Sequence, residues 1–557
     1  MMRNTLGITG MWRRWIEFSG IALVLAAVVI LLQYHVNAYS AEFGVDEASH
    51  YVSGLMIHAY LTTGLSNGPL SPFSFLKNFH SHYSLVGIGH WGPVFYIAES
   101  LWMLPFGCGR ISVLLLTAIV TSAIGLICYV VAAPRVGRTI AGLVAIAFVA
   151  SRVAQEGSAY VMLDGPITLL TLLAALAYAR YMEATKARDA VSFALLAVAG
   201  LLIKGNAGCL ALLPPLAILI SRRFDLLRRP SFWLPVPIVG CLAVPWYLLT
   251  YSLISQGFRY AWGLHYVAGA IRDNSGALLA AIGPLLLAAG LCGWVVVVWS
   301  AHRPKADQVM TCVAALFAAV WIFQSVVPAD IQDRYLEPAL PPLLILAGAA
   351  LRYVVKCVCC RLPVALGRLS ALATPLLAIV LATSMIPSVL SVTPKTELGF
   401  TEAAPLVWQQ VEPHNPVVLV VARQNVEDSA VAELAMHDPH CPSLFAVRGS
   451  RLLGGGGYNN WDYKARFDTA TEVMAAIDAY RIPLVLFRTD GSPGEWAHVH
   501  QVAEAMKLYP DRWEVVDRIE GHGPPVLLLR VRGNADKSAD LAHLAELTAP
   551  HSLTTMP

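Results

Sequence analysis

Charged side chains are scarce in this chain of 557 residues, because Asp, Glu, Lys and Arg together make up only 13% of it. A typical soluble domain carries about 25% charged residues. The low charge, together with 57% hydrophobic residues and a mean hydropathy of +0.59, excludes an ordinary soluble protein. The sequence also contains no repeats or low-complexity tracts.

Cysteine contributes little to the functional reading. Most of the ten cysteines lie in apolar runs, where a small buried hydrophobic residue is the expected role. From residue 391 onward the chain has only Cys441, so this part cannot form an internal disulfide. The "CVCC" stretch at 357–360 leaves a metal site or lipidation open, but we expect neither.

Long apolar runs are what the chain has instead, and about eleven of them meet the length criterion for crossing a bilayer. They predict a polytopic α-helical membrane protein. The first run follows Arg13 and Arg14 and has no small-residue cleavage site, which favours a retained signal anchor. The runs are 19–35, 111–133, 139–153, 166–181, 191–203, 207–221, 232–251, 278–299, 309–328, 338–355 and 371–390.

Lys and Arg concentrate on alternate loops, which orients the spans because such loops stay in the cytoplasm. The run "SRRFDLLRR" at 221–229 is one cytoplasmic loop, and Arg13 and Arg14 place the N-terminus on the same side. Further cytoplasmic loops carry Arg135, Arg303, Lys305 and Arg352. The opposite, outer loops carry few cations, among them Arg152, and they hold carboxylates such as Asp333. With an odd number of spans, residues from 391 onward lie outside the cytoplasm. We therefore expect a transmembrane domain over 1–390 and an extracytoplasmic domain over 391–557.

Short β-rich runs alternate with amphipathic helical patterns in the C-terminal part, which predicts an α/β domain. Its segment "RLLGGGGYNNWDY" at 451–463 lacks the spacing of a phosphate-binding loop, so we interpret it as a flexible loop. We hypothesise that the aromatic rings of Trp461 and Tyr463 stack on a sugar. The predicted strands are 416–423, 443–449, 482–488, 513–519 and 524–531, and the predicted helices are 427–437, 468–480 and 496–508.

The first outer loop holds two adjacent carboxylates, Asp46 and Glu47, in "EFGVDEASHYVSG". Apolar positions recur at helical spacing from Val45 onward, which predicts an interfacial helix. Asp46 then lies in its first turn, where a carboxylate can simply match the helix dipole or can do chemistry, and both alternatives stay open.

Three further outward positions carry unusual charge. Asp164 precedes a span with Pro166 at its start, a sequence that also suits a helix cap. Lys204 and Arg334 are cations on the outer side, against the charge bias of the other loops. They suit an anionic ligand, with snorkelling to lipid headgroups as the competing explanation. Carboxylates suit a general base, and cations suit a departing phosphate.

The order of several short motifs resembles the GT-C integral membrane glycosyltransferases, specifically the bacterial relatives of protein O-mannosyltransferases and of 4-amino-4-deoxyarabinose lipid A transferase. Over about residues 10–390 these motifs are "DEASHYVSG", "HWGPVFYIAESLWMLPFG", "MLDGPITLL", "LLIKGNAGCLALLPP", "VPWYLL" and "RYLEPALPPLLIL". The resemblance implies a sugar donor on polyprenyl phosphate, a hexosyl or pentosyl transfer, and a lipid, glycan or protein acceptor at the outer face of the bacterial cytoplasmic membrane. Membrane lipids are further expected partners, and nucleic acid is not.

The resemblance also implies roles for individual residues. Asp46 would be the catalytic base, Glu47 and Asp164 would support it or a divalent metal ion, and Lys204 and Arg334 would contact the carrier phosphate.

One departure concerns a second interfacial segment, which we expect to begin at Trp91 and Pro93 in the first outer loop. Relatives place a basic residue just before the proline of this segment, where it would contact the carrier phosphate. This chain has "HWGP" at that place, so either His90 makes the phosphate contact or the contact is lost. Metal use varies in the family, and the candidate ligands here are Glu47, His80, His82 and His265.

Two rival functions come from other classes. A lipid or sugar transporter or flippase would place charged or broken segments at mid-membrane depth in two matching halves. The polar residues here gather on one side instead, without internal symmetry. A non-catalytic envelope scaffold is the third alternative, and the presence of Asp46, Asp164, Lys204 and Arg334 argues against it.

Overall fold

The structure is a computed structural model. It describes residues 2–65, 71–258, 260–303, 305–361, 379, 383–423, 426–456, 462–534 and 538–548. The chain divides into two compact units, each built from separate stretches of sequence. The first unit comprises Met1–Val36, Gly89–Phe95 and Leu114–Thr393, and the second comprises Asn37–Ile88, Tyr96–Val113 and Pro394–Pro557. The second unit thus includes parts of the first outer loop, which the predicted division at 390 leaves in the transmembrane domain.

Seven helices of the described residues are long and apolar enough to cross a membrane, or eight if one bent pair counts as a single span. This confirms a multi-pass helical membrane protein. The seven are Arg14–His35, Arg110–Val136, Asp164–Ala184, Pro230–Leu249, Leu264–Ser300, Gln308–Val326 and Asp333–Val355, and the bent pair is Arg138–Val149 with Arg152–Ala159.

The sequence predicts about eleven spans, and the difference comes from short or broken helices. The predicted run 191–203 belongs to the 15-residue helix Ala187–Leu201, and 207–221 is covered by a 3₁₀ turn followed by helix Leu213–Ser221. Two prolines, Pro214 and Pro215, open that helix. Most of the predicted span 371–390 lies outside the described residues, as does Trp461.

Other helices of the N-terminal 361 residues are shorter, and one of the seven candidate spans consists of short helices in series. Residues 230–254, for example, form four short consecutive helices interrupted by Pro235 and Pro245. The α-helices up to residue 361 are Met2–His35, Val45–Ala59, Pro72–His82, Val94–Phe106, Arg110–Val136, Arg138–Val149, Arg152–Ala159, Asp164–Ala184, Ala187–Leu201, Leu213–Ser221, Pro230–Trp233, Pro235–Leu242, Val244–Leu249, Tyr251–Ile254, Leu264–Ser300, Gln308–Val326 and Leu340–Arg361.

Glycines allow two of the membrane helices to pack closely. A Cβ added to Gly293, in helix Leu264–Ser300, would lie 2.1 Å from the backbone oxygen of Leu346 in helix Leu340–Arg361. A Cβ on Gly290 would similarly lie 2.5 Å from a side-chain carbon of Leu343. Small residues at helix contacts of this kind let backbones approach in lipid, where no hydrophobic force drives helices together.

The second unit contains a five-stranded sheet, which confirms the predicted α/β character of the C-terminal part. Strand order is β2-β1-β5-β7-β6, with β1 parallel to β2 and β5, and with β7 antiparallel to β5 and β6. All five residues of β1, an interior strand between β2 and β5, are buried, as its unbroken apolar sequence requires. The strands are β1 Val417–Val421, β2 Phe445–Arg448, β3 Gly454–Gly455, β4 Lys464–Ala465, β5 Leu484–Phe487, β6 Trp513–Ile519 and β7 Val526–Val531.

Helices surround this sheet, and three of them were predicted at nearly these bounds. Helix Val45–Ala59 of the first outer loop begins at the predicted residue and packs on helix Val426–Met436 of the same unit. The Glu42 carboxylate accepts hydrogen bonds of 2.7 Å from the N–H groups of Leu398 and Phe400, which caps the helix that follows. The C-terminal helices are Phe400–Gln410, Val426–Met436, Gly449–Leu452, Ala470–Ala479, Ala497–Leu508 and Leu541–Thr548.

Replacing Gly293 with alanine should loosen the contact between its helix and Leu340–Arg361. Because the new Cβ meets backbone rather than a mobile side chain, we expect a destabilisation of about 1–3 kcal/mol. The measurement is the thermal unfolding midpoint of the detergent-solubilised protein.

Gly276→Ala is the matched control, since Gly276 lies in the same helix and, among the described residues, no atom outside the backbone of its own helix lies within 4 Å of its added Cβ. Alanine there should leave the midpoint unchanged or raise it, because alanine favours helix over glycine. Equal midpoints for the two variants would contradict the close approach at Gly293.

Candidate functional site

A buried ion pair joins Asp164 and Lys204 in the first unit. The Lys204 Nζ donates to Asp164 Oδ1 at 2.7 Å, and the two side chains are only 4% and 11% exposed. Asp164 is the first residue of its helix, while the N-cap is Leu163. The Asp164 carboxylate therefore neutralises Lys204, which decides against the simple capping role that the sequence also allowed.

Arg334 and Tyr335 complete the surroundings of this pair. The Arg334 Nε lies 4.0 Å from Asp164 Oδ2, so the carboxylate interacts with a second cation. The Tyr335 ring lies beneath both cations, with its centroid 4.2 Å from the Lys204 Nζ and 5.6 Å from the Arg334 guanidinium carbon. Such cation–π contacts hold the two basic groups in place. From the sequence alone, Tyr335 suits an interface anchor at the outer end of a span, and the structure adds its contact with the two cations.

A cavity of about 510 Å³ opens beside Asp164 and Arg334. Its wall carries three more charged residues that form ion pairs, because Arg152 contacts Asp333 and lies 3.5 Å from Glu156. The sequence marks Arg152 and Asp333 as outward charges without assigning them to a site. The lining residues are Arg152, Glu156, Gly157, Tyr160, Met162, Asp164, Gln332, Asp333, Arg334 and Thr393.

Glu337 is a carboxylate that sequence reasoning left out of the site. Its side chain is 1% exposed, and within the described residues neither oxygen has a hydrogen-bond partner. A Cβ added to Gly157 would lie 3.0 Å from a Glu337 oxygen, and one added to Gly165 would lie 3.9 Å from the other. The signal in the sequence was the motif "RYLEPA" itself, in which Glu337 follows Arg334 by three residues.

His90 lies in a segment that is attached to the turn carrying Lys204. The N–H groups of Gly92 and Val94 donate to the carbonyls of Ile203 and Leu202 at 3.2 and 3.1 Å. Gly92 is required by this contact, since an added Cβ would lie 2.0 Å from the Leu202 oxygen. The "HWGP" and "LLIKG" motifs of the sequence are thus neighbours in the first unit.

Asp46 and Glu47 belong to the second unit, where they differ in environment. Glu47 is 1% exposed, and its Oε2 accepts from the Gly44 N–H and from the Lys395 Nζ, both at 2.9 Å. Glu47 therefore holds the start of helix Val45–Ala59. Asp46 is the second residue of that helix and is half-buried. The capping contact to the backbone of Gly44 is made by its neighbour Glu47 and not by Asp46.

The predicted metal ligands are not assembled into a metal site. Among the described residues there is no group of three or more His, Cys, Asp or Glu that could hold an ion. Glu47 bonds Lys395, and the His82 Nδ1 lies 2.8 Å from the Asn78 carbonyl while its ring packs on Phe445.

The other two histidines of the predicted set also have settings unlike those of ligands. His265 is exposed at the start of helix Leu264–Ser300. His80 is buried, and this burial, together with the nearby positive charges of Arg448 and Arg451, lowers its pKa to about 3. Within the part of the chain that the structure describes, Glu47, His80, His82 and His265 therefore do not form a metal site.

Tyr463, predicted to stack on a sugar, already uses one face of its ring. It stacks on Trp496 with centroids 4.5 Å apart and planes at 6°. Its hydroxyl lies 2.8 Å from the His498 Nδ1, and the His498 Nε2 lies 3.0 Å from Glu427 Oε1. Burial raises the pKa of Tyr463 to about 12. These contacts hold the glycine-rich segment at its C-terminal end.

Similarity to solved structures decides the fold. The chain matches the crystal structure of ArnT from Cupriavidus metallidurans bound to undecaprenyl phosphate, with a TM-score of 0.59 and 14% identity over 93% of this chain and 100% of that one. The apo form of the same protein matches with a TM-score of 0.58 and 15% identity, over 96% and 99% of the two chains. The chain has an ArnT-like fold.

A more distant match lies among the archaeal enzymes. The oligosaccharyltransferase from Archaeoglobus fulgidus, in its complex with Zn and sulfate, matches with a TM-score of 0.52 and 14% identity over 84% of this chain and 67% of that one. No protein-family model and no curated protein sequence matches the chain. Together these similarities establish the GT-C fold predicted from the motifs.

Removing one partner of the Asp164–Lys204 pair should destabilise the protein. Lys204→Met leaves a buried carboxylate without its closest cation, and such losses typically cost about 3–5 kcal/mol. Asp164→Asn in the same chain removes the uncompensated charge, so the double variant should recover much of that stability. The measurement is a double-mutant cycle of thermal unfolding in detergent. Additive losses in the cycle would show that the two side chains do not interact.

The low pKa of His80 predicts acid sensitivity. The pKa is about 3 in the folded state against an ordinary value of 6.5, so the unfolded state binds the additional proton between these values. The free energy of unfolding should therefore be highest above 6.5 and fall towards pH 3, by up to about 1.4 kcal/mol per pH unit.

His80→Leu should flatten that dependence, measured as the unfolding midpoint between about pH 7 and about pH 5. His500→Leu is the control, because His500 is an exposed histidine of the same unit. Identical pH profiles for His80→Leu and the unmodified protein would mean that His80 does not hold the buried, neutral state.

Proposed function

We propose that this protein is a glycosyltransferase that moves a sugar from a polyprenyl-phosphate carrier to a hydroxyl or phosphate acceptor at the outer face of the cytoplasmic membrane. The observation that carries this proposal is the charged cavity beside Asp164 and Arg334, within an ArnT-like fold that extends over 93% of the chain. The match to an ArnT bound to undecaprenyl phosphate supports a polyprenyl-phosphate donor.

Arg334 is the first candidate for the carrier phosphate, because it lines the cavity and its guanidinium lies near both Asp164 and Tyr335. A guanidinium binds phosphate oxygens through several donors at fixed geometry, and it stabilises charge that grows on a leaving phosphate. Lys204 is held by Asp164, so we assign it a supporting contact. His90 joins this set through the backbone pairing of its segment with the Lys204 turn.

Asp46 is our candidate for the general base. It is half-buried in the first turn of helix Val45–Ala59, and the contacts of Glu47 with Gly44 and Lys395 fix that turn. Glu47 is therefore a positioning residue in this proposal, and Asp164 has the same role for Lys204 and Arg334.

The reaction balances without any further reagent. The base takes the proton of an acceptor hydroxyl, and the acceptor oxygen forms a bond to the anomeric carbon of the sugar. The bond from that carbon to the phosphate oxygen breaks, and polyprenyl phosphate leaves with the electron pair. Attack from the face opposite the phosphate would invert the anomeric centre.

The test compares envelope lipids and glycans by mass spectrometry in cells with the wild-type chain, without it, and with Asp46→Asn. Loss of one sugar increment from one acceptor, with the unmodified acceptor accumulating, is the expected result in cells without the chain. Asp46→Asn should reduce transfer by about 10²–10⁴-fold, the usual contribution of a general base.

Asp511→Asn is the control for equal expression and charge, because Asp511 is exposed in a short turn of the C-terminal part. A wild-type glycan profile in cells lacking the chain would overturn the transferase and favour transport or scaffolding. If sugar transfer is lost in cells that lack the chain but is normal in cells with Asp46→Asn, the protein is a transferase whose general base is not Asp46.

A further inference from the structure

A second cavity of the first unit lies far from the Asp164 site. It has a volume of about 460 Å³ and forms where helix Arg110–Val136 ends and helix Gln308–Val326 begins. Helix Gln308–Val326 has 19 residues and is thus about 28 Å long, close to the thickness of a bilayer. Because the Asp164 cavity is lined by residues that follow the other end of this helix, the two cavities are separate sites.

Positive charge dominates this second cavity. Its lining includes four cations and one carboxylate, namely Arg135, Arg303, Lys305, Arg352 and Asp307.

The single carboxylate is already committed to other groups. Asp307 accepts from the Arg135 Nε at 2.6 Å and from its Nη2 at 3.1 Å. Asp307 also caps helix Gln308–Val326, by accepting from the N–H groups of Val309 and Met310. Among the residues that the structure describes, the side chains of Arg303, Lys305 and Arg352 have no ion pair. The cavity therefore has a surplus of three positive charges.

Apolar side chains also line this cavity. Val136, Val297, Met310 and Ala349 line it, and all four belong to membrane-spanning helices. Arg303, Lys305 and Arg352 are exposed, so a ligand can reach them. A group with a phosphate and an attached apolar chain matches both halves of this surface, because the phosphate meets the cations and the chain continues along the helices.

We propose that this cavity binds the phosphate headgroup of an anionic membrane lipid. Basic pockets between membrane helices on the cytoplasmic side bind such headgroups, and each Lys or Arg close to the surface contributes to the attraction. The expected orientation places this cavity on the cytoplasmic side, since Arg135, Arg303 and Lys305 belong to loops predicted to lie there. The site is independent of the sugar-transfer reaction proposed above.

The test is native mass spectrometry of the full chain released from mixed micelles that contain phosphatidylglycerol and phosphatidylcholine. The wild-type chain should retain phosphatidylglycerol in preference to phosphatidylcholine. The triple variant Arg303→Gln, Lys305→Gln, Arg352→Gln should bind phosphatidylglycerol about tenfold or more weakly, because three attractive charges are lost. The single variants Arg303→Gln and Arg352→Gln provide the same readout if the triple variant is poorly expressed.

The control is a second triple variant, Lys186→Gln, Arg188→Gln, Arg228→Gln, which removes the same numbers of Lys and Arg from exposed positions outside the cavity. It should keep wild-type retention of phosphatidylglycerol. Equal weakening in both triple variants would overturn the site, because general surface charge would then explain the binding. Equal retention of the two lipids by the wild-type chain would also overturn it.

A separate experiment measures the binding of inorganic phosphate to the full chain in micelles that contain no phosphatidylglycerol. Phosphate that binds the wild-type chain as tightly as phosphatidylglycerol does, and that is lost in the cavity variant, would replace the lipid headgroup by a free phosphate anion. Weak or absent phosphate binding, with tight lipid binding, is the result that the apolar walls predict.

Discussion

The ion pair of Asp164 and Lys204 is the constraint on which the proposed site depends. A carboxylate that is 4% exposed at the start of a membrane helix requires a cation within contact distance, because burial of an unpaired charge costs several kcal/mol. The turn after helix Ala187–Leu201 must therefore return to the start of the Asp164 helix, and the backbone pairing of Gly92 with Ile203 brings another segment to the same turn. Arg334 adds the second cation and lines the cavity.

Buried carboxylates also stabilise the second unit, through a helix cap and ion pairs. Glu42 caps helix Phe400–Gln410, Glu47 pairs with Lys395, and Glu433 pairs with Arg110. Each of these contacts joins the first outer loop, or the segment just after it, to residues beyond 394. The C-terminal part therefore packs together with the first outer loop and does not form a separate unit. The first outer loop folds as part of it, although more than 300 residues separate them in sequence.

Much of the secondary structure was predictable because it depends on local pattern. The five strands of the C-terminal sheet and its three main helices appear within a few residues of their predicted bounds, since apolar alternation and helical spacing are local signals. The span over 139–153 was predicted as one helix, but the chain bends by 55° between Val149 and Arg152. Ser151 caps the second helix there, which a hydropathy window does not detect.

The sequence by itself determined the membrane class, the charge asymmetry of the loops and the residue types available for chemistry, because these follow from composition and run length. Only the tertiary structure decided what each charge does. Adjacent carboxylates Asp46 and Glu47 look alike in sequence, yet Lys395 makes one of them a buried ion-pair partner. The pairing of Asp164 with Lys204 across 40 residues was equally invisible, because the energy of a buried charge depends on neighbours that local sequence does not specify.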